Sequence, residues 1–157
     1  MFTGKGEGYA PCTAQACMEI LAHYGIDPKG KRAAVIGRSL VIGKPVSMML
    51  MGANATVTTC HTKTVDMPSI TKEADIVVVA AGRMETIGAE YFKPGQTVID
   101  VGIGWNEEKG KLCGDVKFDE VEPIVENITP VPGGVGSVTT AVLVSHVVEA
   151  AKKVCGL

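Results

Sequence analysis

KRAAVIGRSLVIGKP, Lys31 to Pro45, is the stretch on which the fold turns. Ala33 to Ile36 form a short apolar run suited to a buried parallel strand, and Gly37 ends it with a residue free to take any backbone angle. Gly43 and Pro45 then mark a helix start, because proline fits the first helical turn, where its missing N–H leaves nothing unpaired. The amides of that turn and the helix dipole favour a phosphate group in front of them, and a dinucleotide pyrophosphate is the natural candidate. The spacing departs from G-x-G-x-x-G: Ser39 stands at the second glycine position, and Gly43 comes one residue late. Two readings stay open on this stretch alone, a dinucleotide-binding loop and an ordinary βα turn whose glycines serve packing.

The 157 residues, 46% hydrophobic and 20% charged, match one globular domain with material for a proper core. The net charge of -2 and the absence of any basic run beyond two residues argue against nucleic acid or an anionic membrane as partner. No charged-apolar-small leader opens the chain, and charged residues interrupt every long apolar stretch, so the expectation is a soluble cytoplasmic protein. Five cysteines, Cys12, Cys17, Cys60, Cys113 and Cys155, stand singly and outside any CxxC pair. That suits a reducing compartment and inert buried thiols, and no metal site is expected.

Along the chain, Met1 to Pro11 is rich in glycine and reads as an extended lead-in. A helix follows, with Thr13 as its cap, Cys17, Ile20, Leu21 and Tyr24 as its apolar stripe and Gly25 as its stop. After the opening unit, Val46, Met49 and Leu50 form the inner face of a helix that Gly52 ends. Ala55 to Cys60 is β-branched and alternating, a second strand. In NAD-binding units an acidic side chain near the end of that strand holds the ribose hydroxyls, whereas a 2′-phosphate needs donors or cations. Here Cys60, His61, Thr62, Lys63 and Thr64 offer no carboxylate, and with Arg38 in the first loop this favours NADP. A solvated polar loop is the plainer reading of the same residues.

Asp75 to Ala80 and Thr97 to Val101 are two further apolar strands, each running into small residues, Ala81 and Gly82 in one case and Gly102, Ile103 and Gly104 in the other. Ligands of open α/β sheets bind along that edge, so the pattern predicts a doubly wound, Rossmann-like parallel sheet in three layers. Asp100 reads as a structural acid that holds a neighbouring loop, with an active carboxylate as the other possibility. Trp105 to Val116 reads as a hairpin around Lys109 and Gly110, and Asn127 to Thr129 as a fifth strand. Thr129 to Thr139 (TPVPGGVGSVT) reads as an irregular loop that lets something come close. The last helix, Val138 to Cys155, is apolar on most sides and is either a fully buried element or a surface for a partner. His146 in this run reads as a core residue with a satisfied nitrogen.

Seven motifs in order and spacing resemble one family: PCT at Pro11, VIGRS at Val35, IGKP at Ile42, TCHTKT at Thr59, VIDVGI at Val98, GDV at Gly114 and TPVPGGVG at Thr129. From Tyr9 onward the chain resembles methylenetetrahydrofolate dehydrogenase/methenyltetrahydrofolate cyclohydrolase. The resemblance implies oxidation of methylenetetrahydrofolate to the methenyl cation by hydride transfer to NADP, then hydrolysis to formyltetrahydrofolate. It implies that Gly37, Arg38, Ser39 and Gly43 serve the cofactor, with Arg38 and Thr62 near the 2′-phosphate and Ile103 on the nicotinamide side. It also implies that Pro132, Gly133, Gly134, Val135 and Gly136 face a tetrahydrofolate derivative.

Ala14, Ala16 and Ser137 stand where the family usually has proline, glycine and proline. The family's catalytic lysine lies four residues after a tyrosine in an N-terminal α/β domain, and Tyr9, Tyr24 and Tyr91 are each followed at that distance by another residue. The resemblance therefore implies the cofactor-binding portion of the enzyme, 1–157 as one NAD(P)-binding domain, incomplete in catalysis without the lysine domain and forming a homodimer. Two other readings compete: a stand-alone dinucleotide-binding module, and a different Rossmann dehydrogenase that uses Asp100 or His61.

Overall fold

The computed structural model describes residues 8–156, and most of the expected lead-in falls outside them. Five strands form one parallel sheet: β1 (Arg32–Ile36), β2 (Thr56–Cys60), β3 (Ile76–Val79), β4 (Thr97–Asp100) and, after a separate hairpin, β7 (Asn127–Ile128). Their order is β2-β1-β3-β4-β7. The chain leaves β1 to one side, returns past it and continues on the other, so β1 and β3 are neighbours across the point where the winding reverses. The hairpin pairs β5 (Gly104–Asn106) with β6 (Lys111–Cys113), as the turn at Gly110 predicts.

Successive strand residues point to opposite faces, and both faces are apolar here. Ala33, Val35, Ile76, Val78 and Ile99 pack under α1 (Cys12–His23), α2 (Gly43–Gly52) and α5 (Val135–Cys155). Ala34, Ile36, Val77, Val79 and Val98 pack against α3 (Met67–Glu73), a 3-10 turn (Ala89–Tyr91) and the single-turn α4 (Phe118–Val121). The result is the three-layer Rossmann-like sandwich that the apolar strands predict. On the edge, β2 leaves Thr56, Thr58 and Thr59 exposed and buries Cys60, a weaker alternation than its β-branched sequence predicts.

The helices depart from expectation in four places. Thr13 does not cap α1; the helix begins at Cys12 behind Pro11, whose carbonyl takes the Gln15 amide at 3.0 Å. Tyr24 lies past the last turn and is exposed, and the buried face is Ala14, Ala16, Cys17 and Leu21. α3 has no counterpart in the sequence reading, although Asp66 caps it by accepting the Ser69 amide and Pro68 sits in its first turn. α5 begins at Val135, inside the segment expected to stay irregular, because both prolines lie upstream of Gly134 and nothing after it opposes a helix. Nor is α5 surrounded: Val135, Val142 and His146 are buried, while Leu143, Val144 and Val147 are each more than half exposed. Of the two explanations for its apolar sequence, full burial fails.

A fully buried glutamine fastens the start of β4. The Gln96 side-chain amide donates to the carbonyls of Thr71 and Ala74, both at 2.7 Å, and its oxygen accepts the Lys93 amide at 2.7 Å. Gln96→Leu strands these groups without water, so we expect a loss of about 1–3 kcal/mol, read as a lower urea midpoint at unchanged slope.

Candidate functional site

At the C-terminal end of β1, the chain passes close under β3. A Cβ on Gly37, whose φ is +124°, would lie 2.2 Å from the Ala80 carbonyl oxygen, and one on Gly43 would lie 2.2 Å from the Gly37 oxygen. Both glycines are therefore required by the chain's own packing, as one of the two readings of the opening stretch proposed. The phosphate expectation also shifts. Ser39 already serves the start of α2: its Oγ accepts the amides of Ile42 at 3.1 Å and Gly43 at 3.4 Å, and its carbonyl accepts the Lys44 amide at 3.0 Å. Within this loop, the N–H groups of residues 38–41, just ahead of the helix, have no protein acceptor.

The end of β2 lies alongside. Ile36 pairs with Cys60, and the Gly37 amide donates to the Cys60 carbonyl at 2.9 Å, so Arg38 and Thr62 occupy matching positions beyond adjacent strands. Both are exposed, and Arg38 has no carboxylate partner among the described residues. His61 is occupied in the turn itself: its amide donates to Thr64 Oγ1 at 2.8 Å, and its Nδ1 accepts the Lys63 amide at 3.2 Å. A catalytic part for His61 finds no support in this arrangement.

The other predicted residues meet in a cavity of about 400 Å3 at the same sheet edge. Ile103 and residues 132–136 line it, together with Ile42 from the first loop and Thr13 from α1. Gly37, Arg38, Ser39, Gly43 and Thr62 stand outside it; Ile42, beside Gly43, connects the two groups. The Val131–Pro132 peptide is cis, Gly133 has φ of +95°, and a Cβ on Gly134 would lie 2.3 Å from the Pro130 carbonyl oxygen. Gly133 and Gly136 by contrast have open space where a side chain would go, so at these two positions the missing side chain leaves room for a visitor, with the positive φ of Gly133 a second reason for glycine there.

Two buried acids hold the edge together. Asp100 Oδ1 accepts the amides of Gly102 at 2.9 Å and Asp115 at 3.2 Å, and Oδ2 accepts that of Val116 at 2.9 Å. Asp115 Oδ2 accepts the Gly82 amide at 2.7 Å and so fastens the loop after β3. Glycine is needed on both sides: a Cβ on Gly102 would strike Asp115, and one on Gly114 would lie 2.0 Å from Asp100 Oδ2. Asp100 thus fills the structural role expected of it. Asp115 stands in the GDV motif but was missed as a site-forming residue, because the glycines it holds and packs against, Gly82 and Gly102, are distant in the sequence.

Burial pushes the Asp100 carboxyl up to about 6, against the pull of its three amides, and nearby Asp115 adds to the rise. Burial likewise pushes Asp115 up, against the pull of the amides of Gly82, Ala81 and Arg83. The folded protein then holds the Asp100 proton more tightly than the unfolded chain, whose carboxyl titrates near 3.8. This contribution to stability is complete below about pH 4 and is lost as pH rises to about 6. Asp100→Asn is expected to flatten the stability profile across that window. It should also cost about 1–3 kcal/mol at neutral pH, because an amide N–H must face a backbone N–H; urea unfolding between pH 4 and 7 measures both.

Comparison with known proteins agrees with this geometry. The family model for the tetrahydrofolate dehydrogenase/cyclohydrolase NAD(P)-binding domain matches residues 11–155. The bifunctional protein FolD of Carboxydothermus hydrogenoformans is 55% identical over 158 aligned positions, covering 100% of this chain and 55% of that protein. The crystal structure of FolD from Campylobacter jejuni superposes with a TM-score of 0.92 at 44% identity, over 96% of this chain and 53% of that one. The Trypanosoma brucei enzyme, solved with NADP cofactor and inhibitor, gives 0.86 at 40% identity, over 93% and 52%. The chain spans about half the length of the curated relatives it matches. With strand order, edge cavity and family match in agreement, the chain belongs to the tetrahydrofolate dehydrogenase/cyclohydrolase family and carries its NAD(P)-binding domain.

Proposed function

We propose that residues 1–157 form one domain, the NADP-binding portion of an enzyme that oxidises methylenetetrahydrofolate to methenyltetrahydrofolate and hydrolyses it to formyltetrahydrofolate. The observation that carries this reading is the joining of Ile103 and residues 132–136 in one cavity, reached through Ile42 from the loop of Arg38. A module that only bound dinucleotide would have no use for that second wall. In this reading NADP, when bound, accepts the hydride.

The chain's own residues do the positioning. The free amides of residues 38–41 and the Ser39 hydroxyl receive the diphosphate, while Gly37 and Gly43 shape the loop that presents them. Arg38 and Thr62 receive the 2′-phosphate, since no carboxylate lies at the end of β2 to repel it. Ile103, exposed at the cavity, meets the nicotinamide, and Pro132, Gly133, Gly134, Val135 and Gly136 form the folate wall. Neither Asp100, held by three amides, nor His61, held in its turn, is free to move a proton, so we assign neither a catalytic part. The catalytic lysine of the resemblance comes from an N-terminal domain, and turnover is expected only where that domain is joined to this one.

The enzyme's partners in this reading are folate derivatives and a second copy of the chain, in a cytoplasmic setting. Among the described residues, no helix is long and apolar enough to cross a membrane. Light scattering should return the mass of a homodimer, and a monomer mass would count against that part.

Calorimetric titration tests the cofactor assignment. NADP should bind more tightly than NAD, and Arg38→Ala should weaken NADP by about tenfold or more, the loss of one charge-assisted contact, while leaving NAD unchanged. Equal losses for both dinucleotides, or none, would remove Arg38 from the phosphate.

A further inference from the structure

At the start of α1, Cys12 Sγ lies 3.6 Å from His146 Nδ1 on α5. The other ring nitrogen, Nε2, is 2.8 Å from Gln15 Oε1, and the Gln15 amide nitrogen donates to Glu19 at 3.2 Å. This chain of contacts fixes the tautomer. A carboxylate can only accept, so the Gln15 end facing Glu19 is the NH2 group and its oxygen faces His146. Nε2 must then carry the proton, which leaves the Nδ1 lone pair aimed at the Cys12 sulfur.

We propose that Cys12, His146 and Gln15 form a reactive-thiol site that takes small disulfides and soft electrophiles. A nucleophile within reach of a base, with the base held by a third group, is the arrangement that activates weak nucleophiles. Cys12 is also the first residue of the 12-residue α1, and it is only half-buried, so a reagent can reach it. The other members of the surroundings do not compete for the proton. The Tyr9 ring lies against His146 with centroids 4.9 Å apart, and the Lys153 ammonium sits 5.0 Å over the Tyr9 ring.

The chemistry balances with a small disulfide as co-reactant. The Cys12 proton passes to His146 Nδ1, and the thiolate attacks one sulfur of the disulfide. A Cys12–sulfur bond forms as the original sulfur–sulfur bond breaks, and the departing thiolate takes the proton back from His146. Cys12 is oxidised to a mixed disulfide and half of the reagent is reduced to a thiol. Cys17 offers a contrast within the same helix: burial pushes its thiol up to about 12, which keeps it inert.

Cys155, exposed on the last turn of α5, provides an internal reference in the same molecule. Timed alkylation with iodoacetamide near pH 7, resolved by peptide mass spectrometry, should label Cys12 about tenfold faster than Cys155. His146→Asn should bring Cys12 down to the Cys155 rate or below while Cys155 itself is unchanged, and oxidised glutathione should form its mixed disulfide at Cys12 first. Gln15→Leu, which frees the ring without removing it, should lower the Cys12 rate as well and serves if His146→Asn fails to fold. A Cys12 rate no higher than that of Cys155, or one indifferent to both substitutions, would overturn the proposal. None of these readouts depends on dinucleotide or folate binding.

Discussion

Three pieces of backbone meet where no side chain fits, and the functional edge depends on that meeting. Gly37 at the end of β1 lies against the Ala80 carbonyl beyond β3, and Gly43 at the start of α2 lies against Gly37. A methyl group at either position would sit about an ångström inside contact distance of another backbone, so a strand, a strand and a helix are held at a spacing that only glycine permits. Since β1 and β3 are the neighbours between which the winding reverses, the close approach sits at the crevice where ligands of open α/β sheets bind. The packing glycines and the loop proposed to take the dinucleotide are one stretch of chain. The glycines bring the backbone together, and the amides of residues 38–41 between them are left without a protein acceptor.

The neighbouring strand ends are organised by charge instead. Asp100 and Asp115 each turn backbone N–H groups inward, and between them they gather the loops after β3 and β4 around the segment 114–116. A carboxylate is suited to this, because it accepts several donors at once, and three amides offset much of the cost of burying it. Gly102 and Gly114 allow the acids to come this close, so here too a glycine removes a side chain to make room for the protein itself. The cavity lined by Ile103 and residues 132–136 therefore has a floor that is held by hydrogen bonds on one side and by backbone contact on the other.

Legibility follows from the range of the interactions. The strands could be read because a sheet covered on both faces demands unbroken apolar runs such as IVVV at β3, and such runs are local. The loop of Arg38 and the segment 129–134 could be read because glycine and proline announce unusual backbone. What could not be read was set by distance in the chain. Asp115 holds Gly82 and lies against Gly102, and although it stands in the GDV motif, neither partner is near it in the sequence to show that role. The short α3 escaped because seven residues carry too little periodicity, even with a capping Asp66 before them. For α5 the composition showed an apolar helix, but not whether its surroundings would come from this chain, and its exposed valines show that they do not.

The seam between α1 and α5 connects the site to the thiol cluster. Thr13 on α1 and Val135, Gly136 and Thr139 on α5 line the cavity, and about two turns further along α5 His146 reaches Cys12 across the same seam. α5 lies packed along α1, with the His146–Gln15 and His146–Cys12 pairs among the contacts between them. Groups joined by one rigid helix move together. The first turn of the helix that carries His146 is also part of the wall of the cavity. The pairing of His146 at the seam and the shape of that cavity wall are thus carried by one helix.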